Sequence, residues 1–436
     1  MKKFISKAVA VSCIIALSAC GSKPQEKNAE PDGKLDKCTI RFSWWGGDDR
    51  HDATLKAIEH WNTIHPEITI TSEYGGWDGW TEKVSSQISG GTEPDLMQIN
   101  YDWLITMSAD GEGFYDLDKL TQYLDLSGFD SEVLSFGRVN GHLNAVPVSL
   151  SGRGLFYNSQ VYSQLNAEYP STWDELFALG AKFGEKDLYP LDLDIQSGST
   201  AWYLSVVRIQ QETGRQFMSM DGKLGFTEED IKAALDFYKE LEEAHVIRTV
   251  QTRTDEDGNA ALYQSPEFIA GNVAGVLEWG SAVGKYEAIL PQGVLEAGPL
   301  LADNNGNSGG WMIKPSLMYA VSGNTKYPDE TAEFMNFLLN DTECAKILRT
   351  SRGIPASSYA EKSLEESGLL SGPAKICDDM LGSIDTVTIS PYIELSRMKE
   401  FYNTAIESVS YNTADTAEVA HQMYESITEY LERLRK

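Results

Sequence analysis

The chain has 436 residues, enough for two ordinary domains, and carries 65 acidic against 36 basic side chains, a net charge of −29. A surplus of that size excludes nucleic acid as a natural partner, because phosphate needs cations to neutralise it. Ten tryptophans, twenty tyrosines and fifteen phenylalanines supply rings for a core and for stacking on a ligand.

Lys2, Lys3 and Lys7 precede an apolar run over residues 8–17, which ends in Leu17, Ser18, Ala19 and Cys20. The run is too short to span a bilayer, and its small residues suit a lipoprotein signal peptidase. Residues 1–19 therefore read as a signal peptide and Cys20 as the lipidation site. Residues 20–37 are rich in Lys, Glu, Asn, Pro and Gly and read as a flexible tether to the cell membrane.

Ile40, Phe42 and Trp44 alternate with Arg41 and Ser43 as in a strand, and Trp45, Gly46, Gly47, Asp48 and Asp49 break the alternation. Leu55, Ile58 and Trp61 then share one face of a helix that Pro66 stops. The unit repeats. Residues 68–74 predict a second strand, residues 75–79 a glycine-rich turn holding Trp77 and Asp78, and Trp80, Val84 and Ile88 a second helix face. A third run, residues 95–100, leads into Tyr101, Asp102 and Trp103. Three successive strand ends thus carry aromatic and polar side chains, at the edge where open α/β sheets bind ligands.

Residues 110–126 read as a surface loop. Asn140 and Gly141 predict a hairpin turn, and residues 145–150 and 155–158 a long strand with a hinge at 151–154. Ser171 or Thr172 caps a helix through Leu176, Leu179 and Phe183. Residues 201–211 and 228–244 predict two more helices, the second capped by Thr227 with Asp230 three residues on. Residues 273–279 predict a buried strand ending in Glu278 and Trp279, and Gly309, Gly310, Trp311 and Met312 repeat the aromatic end. Residues 330–339, 342–350 and most of 396–436 are predicted helical.

A pyranose offers flat, weakly apolar C–H faces ringed by hydroxyls, so its binding asks for aromatic rings beside planar polar groups. Trp45, Trp77, Trp80, Trp103, Trp202, Trp279 and Trp311 stand at loop or helix-start positions, and three or four of them are expected to line a cleft. Trp61 and Trp173 suit core or cap roles. Asp78 and Asp102 join the candidates as polar neighbours. Arg153, set among Ser149, Ser151, Gly152 and Gly154, is the first-choice polar contact, because arginine bonds a carboxylate or vicinal hydroxyls in bidentate fashion. An interdomain salt bridge is its alternative role. Arg50 and His51, after the first tryptophan turn, either face ligand or solvate a helix start, and the second role is preferred.

An enzyme would need a reactive group. The chain has no Gly-x-Ser-x-Gly elbow, no His-Glu-x-x-His and no Gly-Lys-Ser/Thr loop. Acidic pairs such as Asp48 with Asp49, or Asp192 with Asp194, arise by chance among 65 acids. No cofactor and no metal are expected. Cys38, Cys344 and Cys377 stay in the globule, where a Cys344–Cys377 disulfide and buried free thiols both remain open.

Residues 44–47 with the helix after them, Gly-Gly-Thr-Glu-Pro-Asp-Leu-Met at 90–97, residues 156–158, Thr-Trp-Asp-Glu-Leu at 172–176 and residues 353–357 carry a resemblance. Nearly the whole mature chain resembles the family 1 extracellular solute-binding lipoproteins that serve carbohydrate ABC importers. Through residues 50–55, 74–78, 91–98 and 110–117 it looks most like the branch that binds oligogalacturonides. The resemblance implies a periplasmic-binding-protein-like α/β fold of two lobes joined by hinge crossovers, with the ligand cleft between them. Lobe 1 would take residues 38–149 and 314–386, and lobe 2 residues 150–313 and 387–436, with crossovers near 148–151, 311–316 and 387–391. It further implies that Trp279 stacks a sugar ring and that lobe closure presents the oligosaccharide to a membrane permease. By the same resemblance the protein is a monomer, lipid-anchored on the extracytoplasmic face. A uronic acid oligomer is the preferred ligand, a neutral oligosaccharide the alternative, and a surface glycan-degrading enzyme the third reading.

Overall fold

The computed structural model describes residues 35, 37–194, 199–258 and 260–435, so the signal peptide, Cys20 and most of the tether lie outside the described residues. The described strands are β1 (Cys38–Trp45), β2 (Ile68–Gly75), β3 (Leu96–Ile99), β4 (Arg138–Val139), β5 (His142–Leu143), β6 (Val146–Asn158), β7 (Gly275–Trp279), β8 (Leu295–Ala297), β9 (Met312–Val321) and β10 (Val387–Thr388). Eight of them form one sheet in the order β2-β1-β3-β9-β6-β7, with β10 on β9 and β8 on β6; β4 and β5 make a separate hairpin.

The first half of the sheet follows from the strand-helix repeat. β1 runs parallel to β2 and β3, with the helices Asp48–Ile64 and Trp80–Ser89 as crossovers. Ile40, Phe42 and Trp44 are fully buried. Phe42 and Trp61 both meet Phe334 edge-on from the helix Pro328–Asn340, which covers that face.

Beyond β3 the sheet turns antiparallel, through β9 and β6 to β7. β6 and β9 are long, 13 and 10 residues, and run through both halves. Their pairing is irregular between Pro147 and Ser149 and again between Ser149 and Leu150, where the partner is Pro315. Proline has no N–H to donate, so the ladder is weakest there. The ladder is thus interrupted at residues 147–150. Residues 151–154, expected from the sequence to be the flexible stretch, are buried within continuous strand.

The second half is helix-rich. Thr172 accepts a hydrogen bond from the Glu175 N–H at the start of helix Trp173–Gly184, and Thr227 and Asp230 form a reciprocal capping box on helix Glu228–Glu243. These elements, the helix Thr200–Thr213 and the two C-terminal helices Ser396–Ser410 and Thr416–Leu434 share one apolar core with β6 and β7. The helix Pro373–Gly382, placed in lobe 1 by the sequence boundary at 386, belongs to this core through Cys377 and Leu381. It approaches β6 so closely that a Cβ at Gly154 would stand 2.4 Å from Cys377 Sγ.

Cys344 and Cys377 are buried free thiols, so the Cys344–Cys377 disulfide does not form, and Cys38 is buried as well. Among the described residues no helix is long and apolar enough to cross a membrane.

Candidate functional site

Between the two halves lies a cavity of about 460 Å³, within the range of roughly 300–1,000 Å³ that holds a small organic ligand. From the first half Trp77 reaches it, on the glycine-rich turn after β2. Gly79, at φ +71°, lets the chain swing from that turn into helix Trp80–Ser89. Trp77 remains 48% exposed, yet its ring packs 5.1 Å from Trp45, which in turn lies 5.5 Å from Trp103.

The opposite wall is built on β6 and β7. Arg153 and Trp279 are cross-strand partners in the antiparallel ladder, which brings their side chains together on one face. The Arg153 guanidinium carbon stands 4.6 Å from the Trp279 ring and 5.0 Å from that of Tyr203. Cation–π attraction on two sides sets the position of this charge in advance of any ligand. Deeper in, Trp202 stacks on Tyr402 with centroids 5.5 Å apart, next to Phe217. Trp202 Nε1 and Tyr402 Oη are buried without a hydrogen-bond partner among the described residues. Such groups gain most from a partner that arrives with a ligand.

Charge is concentrated at one side of the cavity. Lys314 Nζ lies 4.8 Å from the Trp279 ring and donates to Glu394 Oε2 at 2.6 Å, while Lys399 reaches the same oxygen at 3.3 Å. Burial alone would raise the Glu394 carboxyl, but the two lysines outweigh it and hold it well below the usual range. Burial also pulls the Lys314 ammonium down, with Glu394 opposing. Asp102, across the cleft, is pushed up to about 6, first by burial and then by Glu394, against the pull of Lys399 and Lys314. Lys285 pairs with Glu278 at 3.0 Å and sits 4.9 Å from the Tyr263 ring.

Of the residues singled out from the sequence, the structure brings Trp77, Arg153, Trp202 and Trp279 together on the cavity. Asp102 stands beside the charge cluster, and Asp78 is exposed and outside the lining. Trp45, Trp80 and Trp103 must be corrected: they are 7%, 3% and 1% exposed and pack on one another and on Val84 and Ile99. Trp311 is corrected as well, since it is fully buried and its Nε1 donates to the Leu301 carbonyl at 3.2 Å. Tyr203, Lys285, Glu394, Lys399 and Tyr402 were missed. Glu394 and Lys399 lie five residues apart in Pro-Tyr-Ile-Glu-Leu-Ser-Arg-Met-Lys, where no period or turn signal separates a site residue from a solvated helix start. Arg50 does more than solvate a helix start: its Nε donates to the Ser351 carbonyl and its Nη1 to that of Trp45.

Comparison with known proteins adds to this geometry. A family profile described as bacterial extracellular solute-binding protein matches residues 56–367. A periplasmic oligogalacturonide binding protein from Yersinia enterocolitica, solved with saturated digalacturonic acid, is 32% identical with a TM-score of 0.84, over 92% of this chain and 100% of that one. A periplasmic solute binding protein from Pectobacterium atrosepticum is similar at 32% identity and a TM-score of 0.86, with the same coverage. The lactose-binding protein of Rhizobium radiobacter is 23% identical over 71% of this chain and 72% of its own length.

Proposed function

We propose a ligand and a working cycle for a chain of known kinship: it belongs to the bacterial extracellular solute-binding proteins. Members of that family bind solutes and are not enzymes. The solute here is an oligosaccharide, and the preferred one is an oligogalacturonide or related uronic acid oligomer. One observation carries this reading: Trp77 from the first half of the sheet and Trp279 from the second line the same cavity. A sugar between those rings touches both halves, so it stabilises their closed arrangement, and that arrangement is what an ABC importer's permease recognises. Lipid on Cys20 and the tether would keep the receptor at the membrane.

Arg153, Lys285 and Lys399 on the cavity and Lys314 beside it favour an acidic ligand, as does the similarity to the digalacturonate-bound protein. The neutral alternative draws on one specific observation, that Lys285, Lys314 and Lys399 already face Glu278 or Glu394. Calorimetric titration of the mature protein at pH 7 with digalacturonate and with lactose separates the two. Digalacturonate should bind at least about tenfold tighter, a gap of about 1.4 kcal/mol. Equal or tighter binding of lactose moves the assignment to neutral sugars, and silence with both and with a wider panel of oligosaccharides overturns the carbohydrate reading.

A further inference from the structure

Two arginines of the first half, Arg50 and Arg352, carry charge that no neighbouring acid balances. Arg352 is 3% exposed, and Arg50, on the helix Asp48–Ile64, is partly buried. A ring of hydrogen bonds fixes both. Arg50 Nη1 and Gln98 Nε2 each donate to the Trp45 carbonyl at 3.1 Å, and Gln98 Oε1 accepts from Arg352 Nε at 2.9 Å. Arg352 Nη2 donates to Thr54 Oγ1 at 2.9 Å, and that hydroxyl donates to the Arg50 carbonyl at 2.7 Å, which closes the ring. The Ser351 carbonyl holds Arg50 Nε as well, at 2.9 Å. Gly46 makes room for this, since a Cβ there would stand 2.5 Å from Arg50 Cδ.

Every hydrogen-bond acceptor in that ring is neutral. Asp48 and Asp49, just before Arg50 in the chain, are exposed, and neither bears on Arg50 or Arg352. The groups that do bear on Arg352 are the Tyr319 hydroxyl and the Cys344 thiol, and burial pushes both upward, so both are uncharged at pH 7. Burial, and then Arg352, pulls Arg50 down to about 9, which leaves it charged at that pH. Two like charges thus share a region of low dielectric, where an uncompensated ion is costly. Arg352 Nη1, Tyr319 Oη and Ser351 Oγ are meanwhile buried without a hydrogen-bond partner among the described residues. Tyr319 pairs with Gln98 across the β3–β9 ladder, so its side chain stands on the same face of the sheet as the ring.

We propose that a small monovalent anion of the halide class, such as chloride, binds at Arg352 Nη1 and Tyr319 Oη and balances the two guanidiniums. The orphaned groups can all donate, which suits an ion that only accepts. Water would satisfy the donors but bring no charge. The surroundings are closed, with Thr54, Gln98 and Tyr319 fully buried, which favours a single atom over a carboxylate or a phosphate. Arg50 lines the groove between the halves, and that groove is the ion's route from solvent. The role is structural, since Arg50, Tyr319 and Arg352 do not line the aromatic cavity. The ion ties the helix Asp48–Ile64, β3 and β9 to the segment whose Arg352 carbonyl accepts from Ser149 Oγ at 2.5 Å, at the interruption of the β6–β9 ladder.

Thermal unfolding of the mature protein, dialysed free of halide and then brought to equal ionic strength with sodium chloride, bromide or methanesulfonate, reads the site. An ion that binds only the folded chain raises the melting temperature by mass action, so chloride and bromide should each melt the parent about 3 °C or more above methanesulfonate. Arg352→Met removes the orphaned donor and one of the charges, and should abolish that difference. Crystals of the parent grown in bromide should show an anomalous peak within hydrogen-bonding distance of Arg352 Nη1, a measurement that stands even if Arg352→Met does not fold. Equal melting in the three salts, a halide effect that survives Arg352→Met, or bromide crystals with only water or nothing at Arg352 Nη1 would each overturn the site.

Discussion

The two walls of the cleft use the same kind of residue to opposite ends. On the first, four tryptophans gather at the strand ends, but Trp45, Trp80 and Trp103 are spent on one another and only Trp77 is presented. On the second, Trp202, Tyr203, Trp279 and Tyr402 line a hollow, and cations and acids are placed among them. The difference teaches that an aromatic strand end is a building material before it is a contact. A ring backed by a helix packs tightly against the sheet, whereas rings held apart by the helices Thr200–Thr213 and Ser396–Ser410 leave room for a guest.

That contrast can be broken most forcefully from the buried side. Trp103→Ala should cost about 3–5 kcal/mol of folding stability through the cavity it leaves, read by urea denaturation. A loss under about 1 kcal/mol would mean that the first-wall cluster is not a core. On the other wall, Trp279→Ala should weaken ligand binding by about 2 kcal/mol or more, near thirtyfold, because it removes a stacking ring and unclamps Arg153. Calorimetry with digalacturonate reads this directly, and an unchanged affinity would confine Trp279 to packing.

Trp77→Ala tests the meeting of the walls. Being half exposed, it should change stability by no more than about 0.5 kcal/mol, while affinity falls about tenfold. An affinity loss matched by a similar loss of stability would show that Trp77 is only a lid on the cluster behind it.

The smallest effect concerns Asp102, whose carboxyl stands at about 6 in the folded chain, above its unfolded value near 3.9. Between those values the folded state holds a proton that the unfolded state has released, so this group stabilises at pH 5 and the benefit has gone by pH 7. Glu394 is shifted the other way: its contribution is complete above its unfolded value near 4.3 and is lost progressively below it, so it is nearly constant across this window. Asp102→Asn should therefore reduce the stability difference between pH 5 and pH 7 by about 1 kcal/mol relative to the parent. An identical pH profile in both proteins would show that burial and Glu394 do not raise the Asp102 carboxyl.

Local pattern was most informative where a single element decides its own shape. The alternation in residues 40–44, the helix stripe through Ile58 and Trp61, and the caps at Thr172 and Thr227 each depend on neighbours within a turn or two. β9 was not visible in the same way. Met-Ile-Lys-Pro-Ser-Leu-Met-Tyr-Ala-Val has no clean period of two, and Pro315 reads as a break, because its tolerance rests on the irregular pairing with β6 at Leu150. The packing of the helix Pro373–Gly382 was hidden for a related reason: its partners, Gly152 and Gly154, are more than two hundred residues away and are marked only by the absence of a side chain.

What the amino-acid order determined by itself was the set of strands and helices with strong local signals, the acidic surface, and the crowding of indoles and charges at strand ends. Those follow from backbone propensity and hydrophobic period, which act over a few residues. Only the tertiary structure decided which indoles became core and which face the cavity, which lysines meet Glu394, and where the β6–β9 ladder is interrupted. A side chain's exposure is set by whatever packs opposite it, and that neighbour comes from a distant part of the chain.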